Sequence, residues 1–137
     1  MRYWLCITNL ENWKTIIKND IYGFNEQNKK YVNIIKNGDK IVMYVIPKKI
    51  GGLFEVINVD CLDDIDFRDG RYPYKIKIKK INIPKNFIEI NDKIISNLNL
   101  FKDSIRWGTI LMGRSIKEFE KEDYGYLKSL IENVKNK

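Results

Sequence analysis

Tyr3-Trp4-Leu5-Cys6-Ile7-Thr8-Asn9-Leu10-Glu11-Asn12-Trp13 is the stretch whose reading decides the fold. Residues 2–7 read as a buried strand. Thr8 stands three residues before Glu11, the capping-box spacing, so a helix starts at once. Leu10, Trp13, Ile16 and Ile17 follow at helical spacing and form its buried face. A strand that runs straight into a helix leaves small polar side chains at the mouth of an apolar core. If Thr8 and Glu11 do the capping, Asn9 and Asn12 are freer to present amide donors and acceptors to a pocket. Capping is the alternative role for Asn9. Trp4 belongs to the core and Trp13 to the helix's apolar stripe.

Outward from this junction the chain alternates short strands and helices. Tyr22-Gly23-Phe24-Asn25 is a turn with two aromatics around a glycine, followed by a short helix over 27–36 and a closing Asn37-Gly38-Asp39 turn. Residues 41–46 are apolar throughout, as in a strand covered on both faces. Residues 47–52 hold two lysines and two glycines and read as a turn, which makes 41–46 and 53–61 an antiparallel hairpin. An acidic loop follows with Asp63, Asp64, Asp66 and Asp69. Tyr74, Ile76 and Ile78 then alternate with Lys75, Lys77 and Lys79, and the phase slips at Lys79-Lys80, where a β-bulge is expected. A short helix over 91–100 and a strand over 107–113 come next. Ser115 and Glu118 repeat the capping-box spacing, and a last helix over 120–135 carries Tyr124, Leu127, Leu130, Ile131 and Val134 on one stripe. The pattern predicts one α+β domain over 1–137: a small, curled, mostly antiparallel β-barrel flanked by short helices.

Composition narrows the function. The 137 residues carry 25 Lys plus Arg against 18 Asp plus Glu, a net charge of +7. A basic surface suits DNA, RNA or another anionic partner, although a coding bias towards Lys, Ile and Asn raises charge without function. With no histidine, Cys/His zinc sites and the commonest general base are absent. Cys6 and Cys61 lie in apolar strand-like stretches and fit buried free thiols. No apolar run reaches the roughly 18 residues of a membrane span, and no signal peptide opens the chain, so a cytoplasmic protein without membrane contact is expected. The acidic loop lacks a cation-binding pattern, Ser115 has no base partner and reads as an N-cap, and no glycine loop cradles a phosphate. The chain therefore reads as a non-enzyme without cofactor or metal.

Binding chemistry is better represented. Trp13, Tyr22, Phe24, Tyr44, Tyr72 and Trp107 could each stack on a flat ring, at about 1–3 kcal/mol per base, or simply pack in the core. Tyr22-Gly23-Phe24 and Trp107-Gly108 place rings beside glycines, where no side chain blocks approach. Arg114 could clamp a phosphate. Lys75, Lys77 and Lys79 form a basic stripe that is either a solvated sheet face or, with Lys48 and Lys49 of the hairpin turn, a track for a nucleic-acid backbone.

With these residues laid out, the chain resembles the EVE-domain family of the PUA-like superfold, related to the YTH domains. The matching pieces are Tyr3-Trp4-Leu5 with Thr8-Asn9 and Glu11-Asn12-Trp13, then residues 37–45, 52–56 and 72–78, and finally Trp107-Gly108 through Met112-Gly113-Arg114-Ser115 with Glu122-Asp123-Tyr124. The resemblance implies a PUA-like barrel whose aromatic pocket takes a flipped, often methylated base. It puts Asn9 and Asn12 where related domains read the base, and Tyr22 to Asn25 where YTH domains supply a cage tryptophan and a polar neighbour. This chain has Tyr22 and Phe24 there. Arg114-Ser115 matches an arginine that contacts phosphate. The leading expectation is a reader of flipped or modified bases. A binding domain for a nucleoside or anionic metabolite is the alternative, and a nuclease using the aspartate loop with Mg²⁺ is a third reading.

Overall fold

The opening strand, β1 (Tyr3–Thr8), pairs on one side with β3 (Lys40–Val45) in parallel and on the other with β7 (Ile116–Phe119) antiparallel. The structure, a computed structural model, describes residues 1–24, 26–59, 74–99 and 116–135. The remaining strands are β2 (Ile21–Phe24), β4 (Lys49–Asn58), β5 (Tyr74–Asn82) and β6 (Ile88–Glu89). The helices are α1 (Leu10–Asn19), α2 (Asp92–Ser96) and α3 (Lys121–Lys135), with a 3₁₀ helix over Glu26–Asn33. The strands form one curled mixed sheet, a half-barrel in the order β2-β5-β4-β3-β1-β7, with β6 alongside β4. β1 and β3 can run parallel because α1, β2 and the 3₁₀ helix carry the chain back between them.

The sheet separates two cores. Along β3, Ile41, Met43 and Val45 face one core, and Val42 and Tyr44 the other, as the period of two requires. The first core gathers Trp4, Cys6, Trp13, Ile16, Ile21, Tyr22, Phe24, Phe54, Val56, Ile76 and Ile78 beneath α1. The second joins Leu5, Tyr44, Ile50 and Leu53 to α2 and α3 through Ile94, Ile95, Leu98, Tyr124, Leu127 and Ile131. The apolar run is thus covered on both faces over 41–45, as expected, whereas Ile46 is exposed in the hairpin turn. Cys6 is a free, buried thiol, and burial pushes its pKa well up; Cys61 lies outside the described residues. Among the described residues no helix is long and apolar enough to cross a membrane.

Several local expectations are corrected. Asn9, not Thr8, is the N-cap of α1: its side chain accepts from the Asn12 N–H. Asn9 has extended backbone angles and an oxygen at the reach a cap needs. Gly51 and Gly52 are strand residues rather than a turn; the hairpin turns at 46–48. Between Met43↔Gly52 and Tyr44↔Ile50 the ladder skips Gly51, a bulge. A Cβ on Gly51 would stand 2.5 Å from the Trp13 ring, so this strand admits only glycine beneath that indole. The predicted slip in β5 is present two residues on: Leu53 faces Asn82 and Phe54 faces Lys80, leaving Ile81 as the extra, 40% exposed residue. Residues 116–119 form β7, so the Ser115–Glu118 spacing starts no helix. Pairing with β1 overrides the local capping pattern, and the final helix begins at Lys121. The helix expected over 91–100 shrinks to Asp92–Ser96, capped by Asn91. The one over 27–36 is the 3₁₀ helix Glu26–Asn33.

Candidate functional site

The β1–α1 junction concentrates the polar groups. The Thr8 carbonyl accepts from the Ile46 N–H at 2.8 Å, which fixes the strand end. The Asn9 carbonyl accepts the first helical bond from the Trp13 N–H at 2.9 Å, and its Oδ1 accepts the Asn12 N–H at 2.8 Å. A backbone N–H can bond only the oxygen of that amide, so the cap settles which way Asn9 points. Its Nδ2 is left as a donor. One turn on, Asn12 is only 4% exposed, yet among the described residues its side-chain amide makes no hydrogen bond. Buried polar groups are nearly always paired. The pair therefore offers two amide nitrogens and one amide oxygen, close together on one helical turn, for a partner that can both donate and accept.

Tyr22 and Phe24 support this junction from below. Tyr22 is 2% exposed and its hydroxyl donates to the Ile7 carbonyl at 2.8 Å, one residue before Thr8. Its ring meets Phe24 edge to face at 5.2 Å, and Phe24 is fully buried. Both rings pack in the first core, and Gly23 lies between them in β2 opposite Lys75. Tyr44 is on the other side of the sheet, in the second core, where burial raises its pKa against the lowering effect of the Lys48 N–H that donates to its hydroxyl. It shares no face with Asn9 and Asn12. The structure therefore brings Asn9, Asn12, Tyr22, Gly23 and Phe24 to one side and separates Tyr44 from them. Asn25, Trp107, Arg114 and Ser115 lie outside the described residues, as do Tyr72 and the aspartate loop.

The lysines divide in the same way. Lys77 donates to the Asn19 carbonyl at 3.3 Å, at the C-terminus of α1, where a cation suits the helix dipole. Lys80 pairs with Asp20 at 2.8 Å. Lys75 is half-buried on β5, Lys79 is exposed, and Lys48 is exposed in the hairpin turn with φ of 57°. Lys49 sits with its ammonium 5.8 Å from the centre of the Phe87 ring. The stripe alternates with buried Ile76 and Ile78, as read from the pattern.

One residue of consequence escaped sequence reasoning. Asp39, 3% exposed, accepts from the Trp4 indole at 3.0 Å, from the Arg2 N–H at 3.0 Å and from the Lys36 N–H at 3.0 Å. It locks the start of β1 to the turn before β3. The signal available was Trp4 itself, since a buried indole N–H needs an acceptor. Among the described residues no group of three Cys, Asp or Glu side chains could hold a metal ion.

A family model for the EVE domain matches residues 2–120. The chain belongs to the EVE domain family. UPF0310 protein PH1033 of Pyrococcus horikoshii is 34% identical, in an alignment covering 96% of this chain and 99% of that protein. Among solved structures, this EVE domain is similar to the Mmi1 YTH domain in complex with RNA, with a TM-score of 0.71 at 16% identity over 96% of this chain and 78% of that one. It is also similar to the YTH domain of Zygosaccharomyces rouxii MRB1 in complex with N6-methyladenosine RNA, with a TM-score of 0.68 at 18% identity over 98% and 86%. At these identities the likeness shows the fold: the EVE domain has the PUA-like architecture that YTH domains share.

Proposed function

We propose that this EVE domain is a non-enzymatic nucleic-acid-binding module that reads a flipped or modified base of DNA or RNA at the β1–α1 junction. The observation that carries the reading is Asn12, a buried amide without a hydrogen bond among the described residues, one turn from the free nitrogen of Asn9. A base edge carries the donors and acceptors that such a pair lacks. That YTH domains of the same fold are solved with RNA and with N6-methyladenosine RNA supports this choice of ligand. The net charge of +7 favours association with a polyanion.

The energetics set what the site must do. Extruding a base costs a few kcal/mol, less when it is modified or already unpaired. Each hydrogen bond to the base edge returns about 0.5–1.5 kcal/mol, and lysine–phosphate contacts add a salt-dependent term. Burial of one methyl group contributes roughly 0.8 kcal/mol, so fit alone would separate modified from plain bases only about fourfold. Unmodified oligonucleotides would bind more weakly rather than be refused.

Titration of fluorescent oligonucleotides, with plain bases and a panel of methylated ones, tests the reading. Binding that weakens with salt, prefers one modified base and is lost in Asn12→Ala supports it. Equal affinity across the panel would remove modified-base recognition. Thermal shifts with free nucleosides and none with oligonucleotides would favour a small-molecule pocket instead, since the same amides could serve a free nucleoside.

A further inference from the structure

A second feature of α1 is not used by the junction. Trp13 follows Asn12, and successive helical side chains diverge by about 100°. Trp13 and Ile17 therefore look onto a different surface, the loop that joins β5 to β6. Between them is an open cleft of about 290 Å³, walled by Trp13, Gly51, Ile83 and Phe87 and rimmed by Lys85 and Asn86. Trp13 and Phe87 are 5.7 Å apart at 61°, so the two rings form a corner. The Gly51 bulge lets the indole settle against the strand; Trp13 is 8% exposed and meets the cleft with an edge, while Phe87 is the half-buried ring. Lys85 and Asn86 are exposed, and among the described residues no carboxylate lines the space. Lys49 lies beside the Phe87 ring.

We propose that the Trp13–Phe87 cleft seats a second, unstacked base of the same bound single strand. Size decides against a larger guest, since ligand pockets for drug-sized molecules start at about 300 Å³ and this cleft stands at that lower edge. The Phe87 ring, the edge of the Trp13 indole and the backbone of Gly51 border the space and suit a planar group. Asn86 can meet a base edge, and Lys85 and Lys49 supply charge for the flanking phosphates. The cleft stands one residue away from Asn12 on the same helix, so a strand that offers one base to the junction passes this corner. The inference rests on the nucleic-acid reading above and adds a contact that tolerates any base, because every base has a stackable face.

The test is a double-mutant cycle between protein and ligand. Phe87→Leu keeps an apolar side chain on the half-buried wall and removes the flat ring; single abasic sites are then scanned through an oligonucleotide that the wild type binds. At one position near the read base, the abasic ligand should bind wild type roughly five- to 150-fold more weakly, as loss of a stacked base predicts. The same abasic ligand should bind Phe87→Leu no more weakly than the intact ligand does. Lys85→Glu, at an exposed site, should weaken binding and reduce the salt slope by about one. Additive effects at every position, together with a Lys85→Glu variant of wild-type salt slope, overturn the proposal while leaving the Asn12 reading intact. If the wild type binds no oligonucleotide, both fall. Unchanged binding in Asn12→Ala, with the Phe87 cycle still coupled, would place the failure at the junction alone.

Discussion

Replacing Asn12 by leucine separates a ligand-reading amide from a structural one. The side chain is 4% exposed, and its amide has no hydrogen bond among the described residues. A polar group sealed from solvent without a partner costs about 1–3 kcal/mol. Among the described residues the sealed side-chain atoms without a hydrogen bond are Asp20 Oδ1 and Asn82 Oδ1 and not the Asn12 amide, so the cost at Asn12 is at the low end of that range. Leucine has the same heavy-atom count and branching but is bulkier; it exposes no polar atom and is the better helix former by a few tenths of a kcal/mol. Repacking opposes these gains, because a branched side chain does not reproduce the shape of a flat amide and mismatches of this kind cost about 1 kcal/mol. The gains and the cost nearly cancel, so stability should change by no more than about 1 kcal/mol, which for a chain of this length is a Tm shift within roughly 3–5 °C. Urea denaturation followed by tryptophan fluorescence, with thermal melting beside it, measures the change. Oligonucleotide binding should be lost in the same variant. A folded protein of near wild-type stability that no longer binds is the signature of a group kept for function. If Asn12→Leu instead binds oligonucleotides like the wild type, the amide does not read the ligand and the premise of the binding site fails.

Three further outcomes follow from particular contacts. Asn9→Asp keeps the capping oxygen and adds a negative charge at the start of α1, so stability should hold or rise, while the lost Nδ2 donor should weaken binding; Asn9→Ala should cost about 1 kcal/mol in denaturant unfolding. Gly51→Ala and Gly125→Ala should have opposite signs. The Cβ at Gly51 would meet the Trp13 ring at 2.5 Å, for a cost of about 1–3 kcal/mol. The Cβ at Gly125, within α3, meets nothing, and alanine there should stabilise by roughly 0.8–1 kcal/mol. Burial raises the pKa of Tyr44, the Lys48 N–H acting weakly against it. An acid whose folded pKa is raised holds its proton in the native state, so stability should fall as pH rises through and above about 10. Tyr44→Phe should shrink that alkaline loss in a series of urea midpoints from pH 8 to 11, and an unchanged slope would show that the hydroxyl does not titrate late.

The strands that alternate cleanly were legible from the chain alone. Residues 74–78 announce a strand by their period of two and 41–46 by a short unbroken apolar run, signals that need only local information, and α1 and α3 declare their buried stripes in the same way. Asn9 and Asn12 could be singled out because polar residues at the mouth of an apolar strand are conspicuous, and the ordered set of pieces pointed to the family. Assignments that failed needed a distant partner. Gly51-Gly52 looks like a turn until the Trp13 indole occupies the space above it. Ser115–Glu118 looks like a cap until β1 offers an edge for residues 116–119. Tyr22-Gly23-Phe24 looks like a turn whose rings could stack or pack, and only the meeting of β2 with β5 and β1 makes it a strand with both rings in the core. Tyr44 differs from its neighbours by a single step of the pleat, yet that step puts it across the sheet from Asn12. Composition, period and capping chemistry are properties of neighbours in the chain, and they determined the elements of this EVE domain and its polar junction. Which oxygen caps α1, which amide is left without a partner and which rings meet at the Trp13–Phe87 corner depend on residues tens of positions apart, and only packing decides them.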